Sequence, residues 1–191
     1  MTTTENIAPV APAERNGVPF EKLFGTIAKM GDNPELAAFE FTATNTWVDG
    51  TASTSTIHEW FGAGAEQQHV REFTATSDHP TLGHGHGPTP HEFVLHALAS
   101  CIAAGVATTA AARNIELTKI DTVAHGKIDV RGILGVDPDV RNGFNHIDID
   151  VTVEGNAPRS ELDALIAASA KRSAVFDSLA NPTTLDVHPT R

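Results

Sequence analysis

Residues 91–113 read HEFVLHALASCIAAGVATTAAAR and contain the longest run of small and apolar residues in the chain. Residues 93–112 contain no Asp, Glu, Lys or Arg and are rich in alanine. The composition predicts a helix of about 35 Å that is apolar on nearly all sides and therefore buried. Twenty uncharged residues are also long enough to span a bilayer. Their many small and polar side chains favour the core helix of a soluble protein instead.

The chain on both sides of this helix contains groups of strands and helices. Apolar spacing predicts a short helix over residues 20–30, and Asp49-Gly50 is a hairpin signal because a type I′ turn needs positive φ. Alternating patterns predict strands over residues 39–47, 51–58, 69–77, 119–131 and 144–154, and a short final strand at Leu185 and Val187. Apolar residues at helical spacing after Ser160 predict a second helix, with Ser160 as its cap. Because strict βαβ alternation is absent, the order favours an α+β fold with antiparallel sheets.

The length of 191 residues fits one domain with a tail. Residues 1–17 are rich in Thr, Ala and Pro without periodicity, so we expect a flexible N-terminal tail followed by a single domain over residues 18–191. The N-terminus lacks the basic start and apolar core of a signal peptide. One cysteine excludes an internal disulfide and suits a reducing compartment, so we expect a cytoplasmic protein.

The charge balance limits the partners of this protein. Thirteen Lys and Arg residues stand against twenty-four Asp and Glu residues, which gives a formal net charge of -11. Nucleic acid and anionic membranes both attract basic surfaces. We therefore expect neither nucleic acid nor a membrane as a partner.

The position of Cys101 in the helix defines a candidate site. At about 100° per residue, Leu98 and Gly105 share its face, His91 lies about 80° around the axis, and Glu92 lies on the opposite face. About two and a half turns into the helix, the thiol gains little from the helix N-terminus directly. Free cysteines are often buried and inert, so composition leaves an inert structural thiol as the alternative to a catalytic one.

Two motifs resemble the OsmC/Ohr superfamily (osmotically inducible protein C and organic hydroperoxide resistance). GPTPHEFVLHALASC, residues 87–101, resembles a loop of the form G-P-x-P-x-E-x-L-L that leads into a small-residue helix ending in A-x-x-C or A-A-C. Asp78-His79-Pro80 and Leu82-Gly83 resemble the preceding D-x-P-x-x-x-G-G. AKRSAVFDSLANP, residues 170–182, resembles the second landmark, usually C-P-V-x-x-x-L. The resemblance covers about residues 39–188 and identifies a single-cysteine variant.

The resemblance implies an intertwined homodimer, with antiparallel sheets packed around a long buried central helix and active sites at the subunit interface. It implies that Cys101 is a peroxidatic nucleophile that attacks the distal oxygen of an organic hydroperoxide and becomes a sulfenic acid. The expected function is thus a thiol-dependent peroxidase of the oxidative stress response. In the family a second cysteine resolves the sulfenate. Its position here is Ser173, so the resemblance implies an external thiol reductant.

Three positions depart from the family pattern. Ser173 replaces the resolving cysteine. His91 stands ten residues before the thiol, where peroxidases of the family carry glutamate, and Glu92 matches only the broader motif. The early hairpin, residues 47–51, lacks the family arginine. The catalytic candidates are therefore Cys101, His91, Glu92 and Ser173, and removal of the Ser173 hydroxyl is expected to leave activity nearly unchanged.

Histidine is unusually frequent near the proposed site. Five of the ten histidines fall within eighteen residues: His79, His84, His86, His91 and His96. Imidazole is the commonest metal ligand, but no complete zinc motif such as H-E-x-x-H is present. We therefore expect no bound metal and no cofactor.

Three functions remain open on the sequence. The first is the single-cysteine peroxidase. The second is a non-catalytic dimer that binds a small apolar ligand in the interface cleft. The third, weaker, is metal binding by the histidine loop, residues 78–90.

Overall fold

The computed structural model describes residues 14–190. Residues 1–13 of the expected tail lie outside the described residues. The last four residues of that tail belong instead to a small hairpin of β1 (Glu14–Arg15) and β2 (Val18–Pro19). The Asn16 side chain donates a hydrogen bond to the Ile115 carbonyl and accepts one from the Leu117 amide, both at 2.9 Å. The structured chain therefore begins before the expected boundary at residue 17.

A four-stranded antiparallel sheet follows the first helix. After α1 (Phe20–Asp32) and a 3-10 turn (Pro34–Ala37), the strands are β3 (Glu40–Phe41), β4 (Thr44–Asp49), β5 (Ala52–Gly62) and β6 (Ala65–Ser77). The long β5 pairs with β3 and β4 along one edge and with β6 along the other. The strand expected over residues 39–47 is thus divided into two.

Two tight turns shape this sheet. Asp49 pairs with Ala52, so the expected hairpin turn consists of Gly50 and Thr51, with Gly50 at φ +52°. The next turn consists of Ala63 and Gly64, both at positive φ, as a type I′ turn requires. Because alanine rarely adopts positive φ, the sequence did not indicate this turn. The strands on either side, β5 and β6, are consequently longer than expected.

The long helix is α2 (Pro90–Ala112), within one residue of its expected start and end. One face is buried, at Leu98, Ile102, Val106, Ala110 and Ala111. The remaining side chains are at least partly exposed in a single chain, so one chain does not provide the burial on most sides that the composition predicts. Among residues 14–190, α2 is the one helix with the length and hydropathy to cross a membrane. Its buried face packs against β7 and the two later helices of the chain.

The second half of the chain covers that buried face. Strands β7 (Leu117–Lys127) and β8 (His146–Gly155) form an antiparallel pair, followed by α3 (Arg159–Arg172) and α4 (Ala174–Ala180). The core lies between α2, this pair and α3, and comprises Val106, Ala110, Ile115, Val153, Leu162 and Leu165. The expectation of a mixed α+β fold with antiparallel sheets and a central helix is confirmed.

Two local expectations near the C-terminus are wrong. Ser160 does not cap the second helix, because Pro158 occupies the N-cap position of α3. Residues 181–190 form no strand, and Leu185 and Val187 are 85% and 94% exposed. Two apolar residues in alternation do not make a strand where no neighbouring edge accepts their backbone hydrogen bonds.

The four-stranded sheet has little support from the rest of the same chain. Its extensive contacts are among its own strands, whereas α2 packs on β7 and on the later helices. Phe41, Trp47 and Val70 are 75%, 70% and 100% exposed. The sheet therefore exposes large apolar side chains within a single chain.

Candidate functional site

Cys101 on α2 faces the junction between α3 and α4. The Ser173 hydroxyl lies 3.1 Å from the Cys101 sulfur and donates a hydrogen bond to it. The same hydroxyl oxygen accepts a 3.1 Å hydrogen bond from the Phe176 amide and so caps the N-terminus of α4. Because the capping bond uses a lone pair of the oxygen, the hydroxyl proton remains available for the sulfur.

These contacts set the acidity of the thiol. Burial raises the pKa of Cys101, but the Ser173 hydroxyl and the backbone N–H groups of Val175 and Ala174 lower it by more, so the net pKa lies below the usual value. Hydrogen bonds to the thiolate favour the charged form. The thiol is therefore stabilised as an anion by the first residues of α4, not by the distant start of its own helix.

The packing of α3 on α2 positions Ser173. The buried Ser169 hydroxyl donates a 2.9 Å hydrogen bond to the Ile102 carbonyl. Gly105 allows this approach, since a Cβ at that position would lie 2.1 Å from the Ser169 oxygen. A close contact one turn before Ser173 thus holds the end of α3 against α2.

A groove of about 570 Å³ adjoins the thiol, between α1, α2 and α3. Leu23 and Ile27 line it from α1, and Ala104 and Gly105 continue the surface of α2 away from Cys101. The lining of the groove therefore combines these apolar residues with polar ones, Ser169 and Ser173 among them. We name this space the thiol groove.

The structure places Glu92 away from Cys101. Its carboxylate accepts hydrogen bonds from the Thr89 amide at 2.7 Å and the Thr89 hydroxyl at 2.8 Å, which completes a capping box. The Thr89 amide, followed by the hydroxyl, lowers the pKa of Glu92. Nine residues correspond to about 13 Å along the helix and to the opposite face. In this chain Glu92 caps α2 and does not reach the thiol.

His91 also lies apart from the sulfur. Its ring packs edge-on against Phe144 at 5.8 Å between centroids. It lines a second cleft of about 560 Å³ between α2, β8 and α4, which we name the apolar cleft. The apolar lining comes mainly from Val94, Leu98, Phe144, Ile147, Phe176 and Leu179. Of the four candidate residues, the structure thus brings only Cys101 and Ser173 into contact.

Asp78 organises the histidine loop. The buried carboxylate accepts hydrogen bonds from the Thr51 hydroxyl and from the backbone amides of His79, His84 and His86. The Thr51 hydroxyl contributes most to holding the pKa of Asp78 far below its usual value. His84 and His86 stack at 5.5 Å between ring centroids. Within residues 14–190, no three His, Cys, Asp or Glu side chains are grouped as metal ligands.

Sequence reasoning missed the contribution of Ala174 and Val175. The missed signal was Ser173 itself, because serine is a preferred N-cap residue. The family resemblance assigns Ser173 only to the position of an absent resolving cysteine. Its second role, as the start of a short helix directed at the thiol, depends on how α3 packs.

Comparisons with known proteins agree with the arrangement of elements. A family model described as OsmC-like protein matches residues 83–188. An OsmC-like protein from Mycoplasma pneumoniae has a similar structure, with 18% identity, a TM-score of 0.58, and coverage of 74% of this chain and 87% of that chain. A hypothetical protein from Aquifex aeolicus VF5 matches at 14% identity and a TM-score of 0.52, over 73% and 86% of the two chains. At these identities the structural likeness shows the fold alone.

More distant structures and curated sequences add little. Some structural neighbours with TM-scores below 0.5 are named for hydroperoxide resistance, among them the organic hydroperoxide resistance protein OhrB of Bacillus subtilis, at 18% identity and a TM-score of 0.44, over 72% of this chain and 90% of that one. The name describes that protein. The sequence matches no curated protein.

Proposed function

Because the chain belongs to the OsmC-like protein family, we propose that it reduces organic hydroperoxides through Cys101. The observation that carries the proposal is the hydrogen bond from Ser173 to the Cys101 sulfur, within a site that lowers the thiol pKa. A lower pKa increases the thiolate fraction at neutral pH, and the thiolate is the nucleophile.

The oxidation step uses the electron pair of the sulfur. The Cys101 thiolate attacks the distal oxygen of the hydroperoxide, an S–O bond forms, and the O–O bond breaks. Sulfur is oxidised to sulfenic acid, and the leaving alkoxide takes a proton from water to become the alcohol. Ser173 and the start of α4 stabilise the thiolate before attack. The apolar side chains of Leu23 and Ile27 in the thiol groove favour an organic hydroperoxide over hydrogen peroxide.

The reduction step requires thiols from outside the chain. A serine hydroxyl cannot form a disulfide, so a first external thiol condenses with the sulfenic acid, releases water and leaves a mixed disulfide on Cys101. A second thiol attacks the mixed disulfide, frees Cys101 and departs as the oxidised small disulfide. We place this cycle in the cytoplasm, where thiols are kept reduced.

A second copy of the chain completes the fold in this proposal. The sheet of β3–β6 exposes large apolar side chains, and α2 keeps partly exposed faces within one chain. A homodimer in which each sheet packs against the partner would cover both surfaces. The intertwined arrangement implied by the sequence resemblance is consistent with this packing.

The direct test follows the mass of the intact chain after mixing with cumene hydroperoxide without reductant. We expect an adduct of about 16 Da, or about 32 Da with excess peroxide, on Cys101 within minutes. Hydrogen peroxide at the same concentration should react more slowly, and Cys101→Ser should form no adduct. An unmodified wild-type chain after this treatment contradicts the peroxidase proposal.

The apolar cleft supports a second candidate, the binding of a small apolar ligand. Its volume suits a small molecule, and its lining is largely aliphatic and aromatic. The probe is an apolar fluorescent dye titrated into Cys101→Ser, with Leu179→Asp as the cleft variant. Two results together would favour ligand binding over the peroxidase function. The dye should bind saturably and lose this binding in Leu179→Asp, and the wild-type thiol should not react with cumene hydroperoxide.

A further inference from the structure

The thiol groove carries positive charge in an acidic protein. Arg172 is the last residue of α3, and Arg113 follows the end of α2; both line the groove. In the part of the chain that the structure describes, no Asp or Glu lines it, although the chain has a formal net charge of -11. A cleft lined by one sign of charge concentrates ligands of the opposite sign.

These two arginines have no ion-pair partner among the described residues. Arg131 and Arg159 form ion pairs with Asp129 and Asp163. In contrast, no carboxylate of residues 14–190 lies within 4.0 Å of Arg113 or Arg172. Their guanidinium groups are therefore available to an anion that enters the groove.

We propose that the thiol groove selects a small thiol bearing a carboxylate as the external reductant, and that Arg172 binds the carboxylate. This inference rests on the proposed function, because only an oxidised Cys101 needs such a reductant. Arg172 directly precedes Ser173, whose hydroxyl lies 3.1 Å from the sulfur. Because Arg172 and Cys101 line the same groove, a small thiol with its carboxylate a few carbons from the sulfur is the class of reductant in this proposal.

The two arginines have different roles in this proposal. Arginine presents a planar set of donors that matches a carboxylate, and Arg172 is next in sequence to Ser173, which contacts the reacting sulfur. Arg113 is twelve residues beyond Cys101, about 18 Å along α2. Arg113 therefore adds to the positive potential of the groove, while Arg172 determines which thiol reacts.

The balanced reaction separates this selection from the peroxide step. One carboxylate-bearing thiol condenses with the sulfenic acid, with loss of water, and a second attacks the resulting mixed disulfide. The first thiol attacks the Cys101 sulfur, and the same attack can be followed without hydroperoxide when Cys101 carries a good leaving group in a mixed disulfide. Such a mixed disulfide can be formed on the full-length protein by another route.

The experiment uses 4,4′-dithiodipyridine to place an uncharged thiopyridyl group on Cys101. Release of thiopyridone is then followed with 3-mercaptopropionate, 2-mercaptoethanol and cysteamine, which carry negative, no and positive charge beside the thiol. We expect Arg172→Gln to slow 3-mercaptopropionate about three- to tenfold and 2-mercaptoethanol less than about twofold, and to leave cysteamine unchanged or faster. Added salt should reduce the wild-type preference.

Two further variants make the result specific. Arg159→Gln removes a cation outside the groove and should leave all three rates unchanged. Arg172→Lys keeps the charge without the planar fork and should restore part of the rate with 3-mercaptopropionate. Equal effects of Arg172→Gln on the three thiols, or a Cys101 that does not react with 4,4′-dithiodipyridine, would overturn the inference. Because this assay contains no hydroperoxide, its failure is distinct from failure of the cumene hydroperoxide test.

Discussion

Gly105 lies so close to Ser169 that a Cβ on the glycine would stand 2.1 Å from the serine hydroxyl oxygen. Because that hydroxyl is buried and donates to the Ile102 carbonyl, it cannot move without loss of a hydrogen bond. We expect Gly105→Ala to lower the free energy of unfolding by about 1–3 kcal/mol, measured by urea denaturation.

A second glycine provides the matched control. Gly25 lies inside α1, and a Cβ there meets nothing within 4 Å. Gly25→Ala should leave stability unchanged or raise it by up to about 1 kcal/mol, because alanine is the better helix former. If both variants lose the same stability, the close contact between α2 and α3 is not the cause.

Ser173→Ala should shift the pH dependence of Cys101 alkylation to higher pH. The hydroxyl stabilises the thiolate and holds the pKa of Cys101 below its usual value, so its loss raises that pKa. Alkylation requires the thiolate and its rate rises with pH through the pKa. The variant should therefore react several-fold more slowly with iodoacetamide near neutral pH. This replaces the sequence expectation that the substitution has almost no effect.

The control for this prediction is Ser178→Ala. The Ser178 hydroxyl donates to the Ala174 carbonyl within α4 and is exposed. Ser178→Ala should leave the pH dependence of Cys101 alkylation unchanged. Loss of the Ser173 cap should also cost about 1 kcal/mol of stability. An unchanged profile in Ser173→Ala would remove the basis for thiolate stabilisation by that residue.

Asp78→Asn should lower the thermal midpoint by several degrees. The Asp78 carboxylate oxygens accept hydrogen bonds from the Thr51 hydroxyl and three backbone amides, and asparagine replaces one of these oxygens with an NH₂ group that cannot accept. The folded-state pKa of Asp78 lies far below the ordinary 3.8. Its contribution is therefore complete above the unfolded pKa and is lost as pH falls through the folded pKa. The difference from wild type should be constant between about pH 7 and about pH 5 and shrink in strong acid. Asp163→Asn, in an exposed pair with Arg159, should change the midpoint little.

Light scattering at micromolar concentration should give about twice the chain mass of 20.2 kDa. Val70→Asp places a charge at a fully exposed apolar position of β6 and should weaken the dimer if that surface is covered by the partner. A wild-type monomer would contradict the homodimer. A stable dimer of Val70→Asp would place the interface elsewhere.

Metal analysis of untagged protein, purified without chelator, should find no stoichiometric zinc. The backbone of the histidine loop is held by Asp78, and three or four converging ligands are needed for a zinc site. One zinc per chain would contradict this prediction.

Elements marked by a long uncharged run or by strong alternation could be predicted from the sequence. The uncharged run predicted α2 to within one residue at each end, and the alternation from Ile147 to Val153 predicted β8. The turn at Ala63 escaped because its positive φ is uncommon for alanine. The site escaped in part for a different reason. The contact of Ser173 with Cys101 depends on the docking of α3 at Gly105, which no local pattern reveals, whereas Cys101 itself came from the family motif.

The bond between Ser173 and Cys101 joins residues 72 positions apart. During translation the cysteine leaves the ribosome first, and at about 5–20 residues per second the serine follows roughly 4–14 s later. For that interval the nascent chain carries a thiol without the start of α4, and its acidity is that of an ordinary cysteine. The lowered pKa of this side chain is therefore acquired only after synthesis of the C-terminal helices, so a ribosome-bound fragment that ends before residue 173 should show an alkylation profile at higher pH than the complete protein.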